Sequence, residues 1–211
     1  MRHIMVLNSK GGSGKTTIAT NLASYFAVHE KNVVLADFDA QESSLSWLQA
    51  RSPARPPVHG IAAYRDAIRS ARNTDLVIMD APAAVHGKQL SDLVRRAETL
   101  IIPVLPSPID MRAATDFISE IKAVGKVARK KAKLALVGNR SRDYTNIYRE
   151  LEEFLRHQRI PLLTMLRDSQ NYIRAAERGL GIFELAPYAT AVDREQWASI
   201  IKWINSKRSR P

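Results

Sequence analysis

Six short apolar runs punctuate the chain: HIMVL (3–7), NVVLADF (32–38), DLVIMD (75–80), TLIIPVL (99–105), KLALVGN (133–139) and IPLLTML (160–166). Each is rich in Val, Ile and Leu and bounded by polar or turn residues, which predicts strands buried on both faces. Between them apolar residues recur at helical spacing, predicting helices over 15–29, 42–50, 62–72, 87–97, 110–130, 145–158, 169–178 and 192–205. Such alternation implies an α/β fold, a mostly parallel β-sheet flanked by helices on both faces. The one proline-rich stretch, RSPARPPVHG (51–60), reads as a surface loop and not as a domain boundary. The basic tail over 205–211 is expected to fray. With 211 residues, the pattern predicts a single domain over 1–211.

Composition narrows the chemistry. Cysteine is absent, which excludes disulfides, Cys-ligated zinc and iron–sulfur clusters and fits a cytoplasmic location. Met1-Arg2-His3 leads straight into an apolar run, so no signal peptide is expected, and no run approaches the roughly 18 to 20 apolar residues of a membrane span. The net charge of +11 is unevenly placed. Residues 1–110 carry 12 basic and 10 acidic side chains (+2), and residues 111–211 carry 20 and 11 (+9). A nearly neutral half and a basic half suggest a second task involving a polyanion, against the alternative of a merely solvated basic surface.

The near-neutral half holds LNSKGGSGKTT (7–17) between the first strand and the first helix. Gly11, Gly12 and Gly14 let backbone N–H groups, including that of Ser13, converge on phosphate oxygens at a helix N-terminus. In that context Lys15 reaches the β- and γ-phosphates, Thr16 ligates Mg²⁺, and Thr17 is placed for the α-phosphate. Asp80 ends a buried strand at the sheet's carboxyl edge, where a carboxylate can hold Mg²⁺ through water. Asp37 and Asp39, two residues apart, would share one face of a strand and address the same cluster; capping of backbone groups is their other reading. A guanine-reading N-K-x-D needs an aspartate three residues after Asn139, and that position is Arg142, so ATP is favoured. What remains unexplained is Lys10, a second lysine ahead of the paired glycines.

The stretch SKGGSGKTT resembles the deviant phosphate-binding loop of the ParA/MinD family of P-loop ATPases. VVLADFDAQESSLSWL (33–48), DLVIMDAPA (75–83), IIPVLPSPIDMRAATDF (101–117) and LRDSQNYIRAAERGLGIFELAP (166–187) are similar, in order, to further family segments. The resemblance implies the P-loop NTPase fold, ATP and Mg²⁺ as cofactors, and hydrolysis of ATP to ADP and phosphate. It also implies that Lys10 reaches in trans to the nucleotide of the other subunit in an ATP-dependent homodimer. Asp39 would position the attacking water, with Asp37 assisting, and Asn139 would lie on the adenine side. Ala40 stands where the family usually has proline, which implies a looser turn.

The implied function is that of a small ParA-type partition or positioning ATPase. Its ATP form would bind nonspecific DNA and associate with the nucleoid, and a ParB-like or other cargo-adaptor protein would stimulate hydrolysis. With the first strand starting at residue 3, an N-terminal helix-turn-helix is not expected. Arg167, Arg174, Arg178, Lys202 and Lys207 are the DNA-binding candidates, and the patch Lys122, Lys126, Arg129, Lys130, Lys131 and Lys133 competes with them. Two alternatives stand beside this reading. One is a biosynthetic relative of the same superfamily, which generally lacks the Lys10 equivalent. The other is a MinD-like membrane-cycling ATPase. For the latter, Trp197, Ile200, Ile201 and Ile204 with nearby Lys and Arg meet the description of a surface-seeking helix, but core packing of that stripe is favoured.

Overall fold

A computed structural model describes residues 1–69 and 71–211. Seven strands form one sheet: β1 (Arg2–Val6), β2 (Val33–Asp37), β3 (His59–Ala62), β4 (Leu76–Asp80), β5 (Thr99–Val104), β6 (Lys133–Ser141) and β7 (Leu162–Arg167). Their order is β3-β2-β4-β1-β5-β6-β7, and every neighbouring pair is parallel. Parallel pairing needs crossovers, and helices supply most of them: α1 (Lys15–Val28), α2 (Ser43–Gln49), α3 (Gly87–Arg96), α4 (Pro108–Ala123), α5 (Gly125–Ala128) and α6 (Asn146–His157). α7 (Gln170–Ala176) and α8 (Ala191–Asn205) follow the last strand.

Alternation along the strands divides the core in two. Ile4, Val6, Leu76 and Ile78 face α1 and α8, where Phe26, Trp197, Ile200 and Ile204 are buried. Met5, Leu7, Val77 and Met79 face α3, α4 and α6 through Leu90, Phe117, Ile118, Leu151 and Leu155. The apolar stripe of the terminal helix therefore packs inward. Among the described residues no helix is long and apolar enough to cross a membrane.

Four expectations are corrected. The proline-rich loop runs into an edge strand, β3, paired through Val34–His59 and its successors. HGIA is too short to carry an apolar signature, and a Cβ at its Gly60 would come within 2.6 Å of the Leu48 side-chain end and 2.8 Å of that of Leu45, both of which would have to shift. The helix expected over 62–72 is not formed among its described residues, where turns follow β3; residue 70 lies outside the described residues. Finally, the tail over 205–211 does not fray. Lys207–Ser209 is a 3₁₀ turn, Ser209 is fully buried, and Thr99 Oγ1 donates to its carbonyl at 2.8 Å. Arg2, a polar position in the first strand, anchors the same turn through the Ser209 carbonyl and hydroxyl and the Ile204 carbonyl. The stretch read as one helix over 110–130 also breaks, at Val124, whose extended backbone separates α4 from α5.

Candidate functional site

β1, β4 and β2 end together, with Val6 opposite Asp80 and Asp80 opposite Asp37. The register brings the phosphate loop and both carboxylates to the carboxyl edge of the sheet, where this class of fold binds ligands. The loop leaves β1 through Asn8, which is buried. Its amide donates to the Pro103 carbonyl at 2.6 Å, and its oxygen accepts the Lys10 N–H at 3.1 Å. Ser9 accepts from Ala84 N at 2.7 Å, tying the loop to the turn after Asp80. Gly12 and Gly14 have φ of 72° and 94°, a left-handed conformation that favours glycine. At Gly14 a Cβ would also lie 2.0 Å from Asn139 Nδ2. At Gly11 and Gly12 nothing lies within 4 Å of the Cβ position, so the outer side of the loop is open to a ligand.

The two lysines differ in their surroundings. Lys15 is buried, and its ammonium donates to the Lys10 carbonyl at 3.0 Å. Burial lowers its pKa, opposed by the attraction of Asp80 and Asp39. Ser13, also buried, donates to the same carbonyl at 3.2 Å. The Lys10 side chain, by contrast, makes no hydrogen bond or ion pair with any described residue. Thr16, in the first turn of α1, lies beside Asp80, and Thr17 lines a cavity of about 220 Å³ next to the loop.

Asp80 is 2% exposed. Burial, reinforced by Asp37, pushes its pKa up to about 7, and the neighbouring hydroxyls of Thr16 and Ser44 and the Lys15 ammonium offset this only in part. The Ser44 hydroxyl donates to Oδ2 at 3.0 Å, while Oδ1 is buried with no hydrogen-bond partner among the described residues. A buried, half-satisfied carboxylate next to a threonine hydroxyl suits a hydrated Mg²⁺, which uses few protein ligands and takes the remainder from water and phosphate. Among the described residues no cluster of three or more His, Asp or Glu could hold a metal alone.

The two remaining carboxylates separate in role. Asp37 is fully buried and accepts the Asp39 N–H at 2.9 Å on one oxygen and the Ser44 and Leu45 N–H groups at 3.0 and 3.4 Å on the other. Both oxygens thus accept backbone N–H groups, so Asp37 builds the turn that holds Asp39, and it can assist that residue by fixing it in place. Asp39 is half-buried and near Lys15, and it accepts only the Gln41 N–H at 3.0 Å. Its second oxygen faces no donor among the described residues. Ser44 was not singled out from sequence, although its N–H and hydroxyl join Asp37 to Asp80. A serine just after a D-x-D turn, opening a helix, is the signal that could have found it.

Asn139, near the end of β6, is buried beneath the loop and donates from Nδ2 to the Ser13 carbonyl at 2.8 Å. It also lines the 220 Å³ cavity with Thr17 and Tyr172, so it both braces the loop and bounds the space beside it.

The cationic candidates do not form one patch. Arg167 is a correction: it makes a two-pronged ion pair with the buried Asp193 at 2.7 and 2.9 Å, fastening β7 to α8. Arg174 and Arg178 are exposed at the carboxyl edge, after β7. Lys202 and Lys207 are exposed at the opposite edge, where the chain end meets Arg2 and Thr99. The competing 122–133 patch lies at that second edge too. There Lys122 and Lys126 donate to the carbonyls of Gln158 and Arg95, at 2.9 and 2.8 Å.

Comparison with known proteins agrees with this geometry. A profile of the CobQ/CobB/MinD/ParA nucleotide binding domain matches residues 4–182. Maintenance of carboxysome distribution protein A from Halothiobacillus neapolitanus is 30% identical over 190 residues, covering 86% of this chain and 87% of that protein. A plasmid partition protein from Borrelia burgdorferi bound to AMPPNP superposes with a TM-score of 0.73 at 15% identity, covering 95% of this chain and 98% of the other. An ATP complex of an McdA variant from Cyanothece gives 0.71 at 16% identity, covering 95% and 96%. At such identities the structural likeness speaks for the fold, and the matched profile and relative speak for descent. The chain belongs to the CobQ/CobB/MinD/ParA family of P-loop nucleotide-binding ATPases.

Proposed function

We propose that this chain is an ATP-driven positioning switch: a monomer that pairs through bound ATP, holds nonspecific DNA as a dimer, and releases it after hydrolysis. The observation that carries the reading is the pair of lysines in one loop. Lys15 is buried and tied inside its own subunit. Lys10 projects from the same loop with no partner among the described residues, a cation available to a second molecule. A cation supplied in trans neutralises charge that develops on the transferred phosphoryl group, and it makes pairing depend on the triphosphate.

Amides of residues 11–17 cradle the phosphates, and Lys15 exchanges the Lys10 carbonyl for a phosphate oxygen. Thr16 and the Asp80 carboxylate would hold hydrated Mg²⁺, which would supply electrostatic stabilisation of the phosphoryl oxygens. Asp39 orients the water. A cargo-bound adaptor completing the site would accelerate turnover, and the similarity to a carboxysome distribution protein and to a plasmid partition protein supports a cargo of that kind.

Equilibrium sedimentation with a slowly hydrolysed ATP analogue tests the reading. Wild type is expected to dimerise. Lys15→Ala should fail to bind nucleotide, and Lys10→Ala should bind it and remain monomeric. A Lys10→Ala protein that still pairs on ATP refutes the trans role.

A further inference from the structure

At the sheet edge opposite the phosphate loop, α4, α5, the turn after α6 and the end of α8 enclose a cleft of about 510 Å³. Its floor is apolar, formed by Val127, Leu134, Ile160 and Trp203 among others. Five cations line it: Lys122, Lys130, Lys133, Arg159 and Arg208, and no acidic side chain does. Lys122 donates to the Gln158 carbonyl. The side chains of the other four make no ion pair or hydrogen bond with any described residue.

We propose that this cleft docks an acidic segment of a partner protein that carries a large apolar side chain as its anchor. Charge complementarity fixes the sign of the partner: like charges gathered without counter-ions repel one another until a polyanionic segment arrives. The floor fixes its second property. Duplex DNA presents phosphates on a convex surface and gains nothing from a concave apolar floor, whereas a leucine or aromatic anchor fills such a pocket. Two of the rim cations stand just past the ends of α5 and α6. Lys130 and Arg159 have φ of 56° and 54°, the left-handed region that glycine occupies without strain. Long cationic side chains stand at both positions, each carrying its charge to the cleft.

The site lies at the edge away from the nucleotide, so its occupancy does not depend on the ATP switch, and it can fail or succeed separately from the reading above. The probe is a fluorescein-labelled peptide of about twelve residues, glutamates interrupted by leucines at helical spacing, followed by anisotropy. Controls replace its leucines with serine or its glutamates with lysine. Wild type should bind the Glu–Leu peptide at least roughly tenfold more tightly than either control, equally with ATP and ADP. Lys133→Glu with Arg159→Glu should lower that affinity roughly tenfold or more. Ala128→Trp, a change at an exposed position that fills the cleft and leaves every charge in place, should do the same, with circular dichroism and ATPase rate unchanged. Equal binding of the serine peptide, or full binding by Ala128→Trp, overturns the proposal in favour of a plain polyanion surface. Sedimentation with phosphatidylglycerol vesicles and no peptide binding overturns it in favour of a membrane contact.

Discussion

Replacing Asp80 with asparagine should make the nucleotide-free protein more stable and the nucleotide-loaded protein less so. The folded state raises the pKa of Asp80 from 3.8 to about 7, with burial the largest cause. For an acid with a raised pKa, the folded state holds its proton more tightly than the unfolded chain. The stabilisation from that proton is complete below about pH 4, falls as pH rises, and is gone above about pH 7. About three pKa units at 1.36 kcal/mol each give a cost of about 4 kcal/mol for the ionised carboxylate at pH 8. Asparagine keeps the shape and an acceptor for Ser44 but carries no charge. The stability gap between variant and wild type should therefore grow by about 2 to 3 kcal/mol between about pH 5 and pH 8. Urea unfolding of both proteins across that range, without nucleotide, measures it, and the difference cancels every other titrating group. Mg²⁺ with an ATP analogue should reverse the ranking at pH 8, because only the carboxylate gains a cation. A gap that stays flat with pH would mean that Asp80 is already solvated or paired, and that its Oδ1 is not an unpartnered buried oxygen.

Three further outcomes follow from other parts of the site. Asp39→Ala should bind Mg-ATP and accumulate as a long-lived dimer, with turnover down by about 10²-fold or more if water positioning is its role; single-turnover hydrolysis against analogue affinity separates the two. Arg174→Glu with Arg178→Glu should weaken ATP-dependent binding of random duplex alike for all sequences. It should also flatten a salt slope expected near −4 to −5 for roughly four to six phosphate contacts per dimer, read by filter binding at several salt concentrations. Arg51→Ala should cost about 3 to 5 kcal/mol by urea unfolding, because it strands Glu184. The pair is 2.8 Å apart with side chains only 4% and 2% exposed, so a loss below about 1 kcal/mol would show that water replaces the arginine.

Much of this was legible in the sequence because its signals are local. Buried parallel strands must be apolar throughout, so β1, β4 and β5 stand out as HIMVL, DLVIMD and TLIIPVL. The phosphate loop is contiguous, and its glycines and lysines sit within a few residues of each other. What stayed hidden depends on contacts across the chain. β3 forms because β2 offers an edge, not because HGIA favours a strand. The tail is ordered because Arg2 and Thr99, far away in sequence, bind Ser209. Arg167 looks like a surface cation until Asp193, 26 residues later, is found facing it. The D-x-D pair reads as two equivalent carboxylates along a strand. Only the turn shows that Asp37 accepts backbone N–H groups on both oxygens and Asp39 on one.

That difference between the two aspartates bears on how the site could switch. Asp37 holds the turn at Asp39 with one oxygen and the start of α2 with the other, and Ser44 passes from that helix to Asp80. Lys15 is bonded to a carbonyl of its own loop, and Asp80 keeps a buried oxygen with no hydrogen-bond partner among the described residues. Both are poor arrangements that a bound phosphate and its metal would improve, so ligand binding favours the conformation in which they are resolved. A movement of Asp80 toward a bound metal would stretch its bond to Ser44. Ser44 is fixed to Asp37, and Asp37 to the backbone of Asp39, the residue assigned to water. On the proposed roles, metal capture and water positioning would be joined in this way by three hydrogen bonds through one serine. Ser44→Ala, which removes the hydroxyl but keeps the N–H bond to Asp37, should therefore leave the fold and the turn intact while loosening the dependence of hydrolysis on Mg²⁺. The readout is the Mg²⁺ concentration giving half-maximal single-turnover rate, compared with that giving half-maximal nucleotide binding. In wild type the two should coincide, and in the variant the first should rise alone. If they still coincide in Ser44→Ala, the serine is packing, and the coupling runs elsewhere.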